Sequence, residues 1–171
     1  MTMTEADIER IAKGVLDLTH PYAEWTHAAH FGAALWLLRH PDMLRQQGGM
    51  ETVIRRYNEA VGVPNTETRG FHATITEASL RATAQALADA GPRAPLAPVL
   101  AALLASPLGQ SRWLLAHWSE PRLMSLAARR GWLEPDLAPL PWPRIAATLL
   151  VAIPGTRSPA KAGAQSGKRC A

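Results

Sequence analysis

"WTHAAHFGAALWLLRHP", residues 25–41, decides how the rest of the chain is read. Phe31, Ala34, Leu35 and Leu38 recur at spacings of three and four, which predicts a helix from about Tyr22 to Arg39 with one apolar face toward a core, stopped by Pro41. At its head stand His27 and His30. Two imidazoles three residues apart on a helix point about 60° apart and lie roughly 4.5 Å apart along the axis, so both can reach one point in space. Core filling would place Leu there, and the pair is the first functional signal.

The same helical period extends outward on both sides. Ile8, Ile11, Val15 and Leu18 predict a helix over residues 5–19, started by Thr4 and Asp7. Gly48-Gly49 breaks the chain before a third helix, Met50 to Val61, on which Val53, Ile54, Tyr57 and Ala60 repeat the spacing. "GVPNTETRG", residues 62–70, has turn composition. A fourth helix is expected from Ile75 to Ala90, with Thr74 and Glu77 as a capping box. Val99 to Ala105 reads as a short helix. Ser106-Pro107 and Ser119-Glu120-Pro121 read as starts of helices over 108–118 and 122–130.

Residues 133–143, "LEPDLAPLPWP", carry four prolines and predict an extended strap anchored by Leu133, Leu137, Leu140 and Trp142. From Pro154 the composition turns to Gly, Ser, Pro, Ala and Lys, which buries too little apolar surface to fold. No segment alternates apolar and polar residues as a strand does. The expected fold is therefore all-α: a compact bundle of about five to seven helices in one domain over 1–153, with a Pro-rich strap and a disordered basic tail over 154–171.

Charge and cysteine use exclude several function classes. The net charge of +4 resides in residues 154–171, where Arg157, Lys161, Lys168 and Arg169 face no acid; residues 1–153 carry 14 basic and 14 acidic side chains. A neutral body with a basic tail argues against a nucleic-acid reader, which needs cations clustered on its folded surface. One cysteine, Cys170, allows no disulfide within the chain and suits a reducing compartment. "MTMTEADIER" is acidic where a secretory leader is basic, and no apolar run approaches the ~20 residues of a membrane span. The expectation is a soluble cytoplasmic protein with no membrane partner. No phosphate-cradling glycine loop and no nucleophile elbow is present.

Two histidines do not complete a metal centre, since catalytic zinc takes at least three protein ligands. His72, in "RGFHATITEAS" at the mouth of the fourth helix, is the expected third; Glu24 and Glu77 are the carboxylates placed to assist. The site so predicted holds a divalent ion (Zn, Fe, Cu or Ni) on His27, His30 and His72, in a pocket lined by Trp25, Phe31 and Phe71, and acts on a small molecule. Without metal the same imidazoles do acid/base work, and Arg129 binds an anionic substrate. The competing reading is a non-catalytic interaction module, in which the histidines bond to Thr74, Thr76 and Asp136 to pin chain segments, and an apolar face binds a partner or a second copy of the chain. His20 and His40, ahead of prolines at helix ends, are expected to cap those ends; His117 is expected to be a hydrogen-bonded core residue.

Three segments together carry a resemblance: "EWTHAAHFGAALWLL" (24–38), "GFHATITEASLRA" (70–82) and "WSEPRLMSLAARRGWLEPDLAPLPW" (118–142). They resemble an uncharacterised family of small bacterial helical proteins with the pattern HxxH, then (Y/F)HxTxT, then SxxAR, then PD. The resemblance implies that His27, His30, His72, Thr74, Thr76, Ser125, Arg129 and Asp136 belong together, and it implies no reaction. Many members carry Glu directly after the third histidine, where this chain has Ala73; a role for that carboxylate would pass to Glu77 or Glu24.

Overall fold

The computed structural model describes residues 3–150; the tail expected over 154–171 lies outside them. Helix α1 (Glu5–Leu16) starts as expected, Thr4 and Asp7 capping each other's backbone N–H groups. The second helix begins later than predicted. Tyr22–Glu24 form one 3-10 turn, and the extended Thr26 then accepts a hydrogen bond from the Ala29 N–H to start α2 (His27–Arg39). Pro41 does more than stop α2: it occupies the first turn of α3 (Pro41–Gln46), where its missing N–H costs nothing. Gly48, left-handed at φ +86°, turns the chain into α4 (Gly49–Ala60).

Helix α5 (Ala73–Ala90) starts earlier than predicted because its cap is His72 and not Thr74. Helix α6 (Leu96–Ala105) follows. The helix expected over 108–118 is instead two 3-10 turns, Pro107–Gly109 and Trp113–Ala116. Gly109 lies so close to the end of α6 that a Cβ would clash with the Leu104 carbonyl oxygen. Likewise the helix expected over 122–130 divides into α7 (Glu120–Leu123) and α8 (Leu126–Arg130), because extended Ser125 starts a new helix by accepting from the Ala128 N–H. A short α9 (Ala147–Leu150) packs on α3 and α4. All secondary structure among the described residues is helical, as the periodicity predicts.

Two apolar clusters organise these elements. In the first, α2 is central and packs against α1, α5 and α6. It is buried without a break from Phe31 to Leu37, so its apolar residues run round the helix and are not confined to one face. The second cluster joins Ala78 of α5 to Trp113, Leu114, Trp118 and Leu123, with Trp132, Leu140 and Trp142 laid over it. Its tryptophans meet edge to face, Trp118 against Trp132 at 5.6 Å and Trp113 against Trp142 at 5.8 Å. Of the four expected anchors of the strap, Leu140 and Trp142 pack on the second cluster, Leu133 belongs to neither cluster, and Leu137 is 60% exposed. Backbone bonds from Leu137 and Ala138 to the His117 carbonyl fix the chain there, so no apolar anchor is needed. No helix among the described residues is long and apolar enough to cross a membrane.

Candidate functional site

Helix α2 sets the first two histidines one turn apart, and each spends one ring nitrogen on a backbone carbonyl. His27 Nε2 donates to the Leu108 carbonyl at 2.8 Å, and His30 Nδ1 donates to the Thr26 carbonyl at 2.8 Å. A carbonyl only accepts, so these bonds assign the protonated nitrogen and leave His27 Nδ1 and His30 Nε2 as the free positions. Neither free nitrogen has a partner among the described residues. The His30 ring lies 4.0 Å from Trp25 and the His27 ring meets the edge of Phe31 at 5.1 Å. Crowding by protein strips water from the charged form of His30 and holds its pKa below the ordinary value; the bond to Thr26 opposes this, and the charges of His27 and His20 add to it.

His72 is built differently. Its Nε2 donates to the Leu123 carbonyl at 2.9 Å, and its Nδ1 accepts from the Ile75 N–H at 3.4 Å as the cap of α5. Both nitrogens are used within the chain. Burial lowers its pKa, with the nearby Arg129 charge acting in the same direction against the Leu123 bond. Among the described residues no three His, Cys, Asp or Glu side chains stand together to hold an ion. His72 could ligate a metal only by giving up one of its two bonds.

The expected helpers also have other tasks. Glu24 is exposed on its 3-10 turn and pairs with Arg10 at 3.2 Å. Glu77 is not the capping partner of Thr74; it is buried, where it accepts from Arg81, whose guanidinium lies 3.8 Å from the Trp132 ring. Thr74 is fully buried, donating to the Gly131 carbonyl at 2.8 Å and accepting from the Leu133 N–H at 3.0 Å. Asp136 holds Ser119. Arg129 donates to the carbonyls of Thr68, Gly70 and Phe71. His40 caps as expected, donating to Trp36 O at 2.8 Å, and His117 is satisfied by Ala138 O at 3.1 Å. His20 does not cap: its ring is buried between Trp25 and Tyr57 with both nitrogens unpaired.

Two adjoining cavities give these side chains a setting. An inner cavity of about 240 Å³ is walled by buried apolar residues such as Val15, Ala34, Leu37 and Leu80, and its polar lining comes from His27, His30, Thr76, Ser79 and Ser111. An outer cavity of about 370 Å³ is lined by His72, Arg69, Arg129, Phe71 and exposed Tyr22 and Met124. Trp25, His30, Ile54, Ile75 and Thr76 line both. The expected pocket is thus divided: Phe31 faces the inner cavity, Phe71 the outer, and Trp25 both. Thr76 and Ser79, three apart on α5, announce themselves by helical spacing; Ser111 and Trp113 approach from a distant segment and give no local signal. The chain matches no protein-family model, no curated protein and no solved structure.

Proposed function

We propose that this protein binds a small molecule in the inner cavity and uses His27 and His30 as the hydrogen-bonding and proton-accepting groups toward it. One observation carries the reading: two histidines, each anchored through one nitrogen and open at the other, line a largely apolar chamber of about 240 Å³. That chamber holds the volume of about eight waters, and apolar walls with a few fixed polar groups are the usual make-up of a ligand site. His30, with its lowered pKa, is the proton acceptor near neutral pH. A divalent transition ion taken up here would use the same two free nitrogens. Zinc titration is expected to move the His27 and His30 resonances and leave His72 in place.

The competing reading, a structural network in an interaction module, is favoured by His72, whose bonds to Leu123 and Ile75 join two segments of the fold. It accounts for His72 and leaves the open nitrogens of His27 and His30 unexplained. Side-chain nitrogen NMR of the histidines and tryptophans during titration with 1-hexanol tests the proposal. Saturable shifts at His27, His30 and Trp25, abolished by Ala34→Leu filling the chamber, are expected. Binding that ignores Ala34→Leu, or no saturable binding by neutral or charged hexyl probes, overturns it.

A further inference from the structure

The outer cavity carries an unbalanced charge. Arg69 and Arg129 line it, and no Asp or Glu does. Arg129 is half-buried, and its partners are three neutral carbonyls; its Nε is buried with no partner at all. Its neighbour Arg130 pairs with Glu67 and the buried Arg81 with Glu77, whereas Arg129, like Arg39 and Arg122, has carbonyl partners alone among the described residues. A partly desolvated guanidinium without a counter-ion is costly, and a bound anion relieves that cost. Arg69 adds a second guanidinium that has no side-chain partner among the described residues. The Arg129 field also reaches His72, where it opposes protonation.

The arginine-lined chamber adjoins the apolar one, and the side chains at the join are the ones suited to passing a ligand between them. His30 is exposed by area, although protein surrounds it, because it opens onto both cavities. Thr76 also lines both cavities, and its hydroxyl has no partner among the described residues. The inner walls carry no Asp, Glu, Lys or Arg, whereas the outer ones carry Arg69 and Arg129 and no acid.

We propose that the two cavities form one bipartite site for an amphipathic carboxylate, its apolar body in the inner chamber and its carboxylate at Arg69 and Arg129. This rests on the small-molecule reading above and names the ligand's chemical class. His30 then stands beside the carbon atoms next to the carboxylate, and not beside the apolar end.

Three probes of equal length separate the possibilities: hexanoate, 1-hexanol and hexylamine, titrated into the full chain by calorimetry and NMR. Hexanoate is expected to bind at least about tenfold tighter than hexanol, since a charge-assisted hydrogen bond exceeds a neutral one by that factor, and hexylamine weakest. Arg69→Gln, at an exposed position, should remove part of the preference, and added salt should weaken hexanoate alone. Intermolecular NOEs should join the hexanoate methyl to Ala34 and Leu80, and its carboxylate end to Val63 and Met124. Equal binding of hexanoate and hexanol, or NOEs in the reverse orientation, overturns the carboxylate assignment while the cavity reading survives. No saturable binding by any of the three overturns both. A hexanoate preference unchanged in Arg69→Gln and in Arg129→Gln, each checked by circular dichroism for folding, also overturns it.

Discussion

Residues 5–105 and residues 106–142 are held together by different physics. In the first region longer helices bury aliphatic side chains around α2: Ile8 and Leu35 are wholly inaccessible, Leu37 and Leu100 nearly so. The second region has only short helical turns, and polar side chains fasten it to α5 and to itself. His72 reaches Leu123, Thr74 reaches Gly131 and Leu133, Trp118 donates to Leu133, Asp136 grips Ser119, and Arg129 ties α8 to the 68–71 loop. A region built on apolar burial tolerates small rearrangement, since contact is non-directional. One built on aimed hydrogen bonds holds its geometry but loses a buried partner whenever one bond is removed. The inner cavity lies between the two, with walls from α2, α4 and α5 and a cover from Ser111, Trp113 and Leu114.

Substitutions can break that contrast in order of size. Leu35→Ala, at the centre of the apolar region, is expected to cost about 3 kcal/mol in urea unfolding, with every spectroscopic probe shifting together. Thr74→Val keeps the shape and removes both bonds to residues 131–133, for roughly 2 kcal/mol. Hydrogen exchange should then quicken over residues 118–137 and stay slow in α1 and α2; equal quickening in both would show that the two regions unfold as one.

Acid offers a gentler lever. His30 and His72 have native pKa values lowered chiefly by burial, so the unfolded chain takes up protons that the native rings resist. Their contribution to stability is complete above about pH 6.5 and is lost as pH falls toward the lowered native values. Asp7 and Asp136 have pKa values lowered chiefly by hydrogen bonds from Thr4 and Ser119; their contribution is present above about pH 4 and lost on further acidification. Unfolding followed against pH should therefore decline in two stages, and a His30→Gln/His72→Asn variant should lack the first. The smallest effect belongs to Leu137→Ser, within about 0.5 kcal/mol, because that side chain is already in water. A large loss there would mean that the strap uses an apolar anchor after all.

The same division explains what could be read from the sequence. Capping at Thr4, the apolar run of α2 and the extent of α4 are written in residues within a few positions of one another, and the structure follows them. Thr74 and Glu77 also have the spacing of a capping box, yet that local signal loses to distant partners: Gly131 lies 57 residues from Thr74, and Leu123 lies 51 from His72. Helical spacing sets His27 and His30 one turn apart on α2. Nothing in it could place Leu108, 81 residues away, whose carbonyl takes one nitrogen of His27. Arg129 was visible as a cation; that its partners are carbonyls rather than a carboxylate follows only from the path of the 62–72 loop.

That loop turns on Gly70, at φ +81°, where a Cβ would stand 2.6 Å from the Pro64 carbonyl oxygen and 2.7 Å from Asn65 Oδ1. Both the dihedral and the space forbid a side chain there. The residues on either side are Arg69, at the cavity rim, and Phe71, which leads directly to the helix-capping His72. A single added methyl at position 70 would thus displace the rim, the start of α5 and the grip of Arg129 together, so in a mutational scan this position should behave as intolerant as the deepest core leucine, although it contacts no apolar cluster.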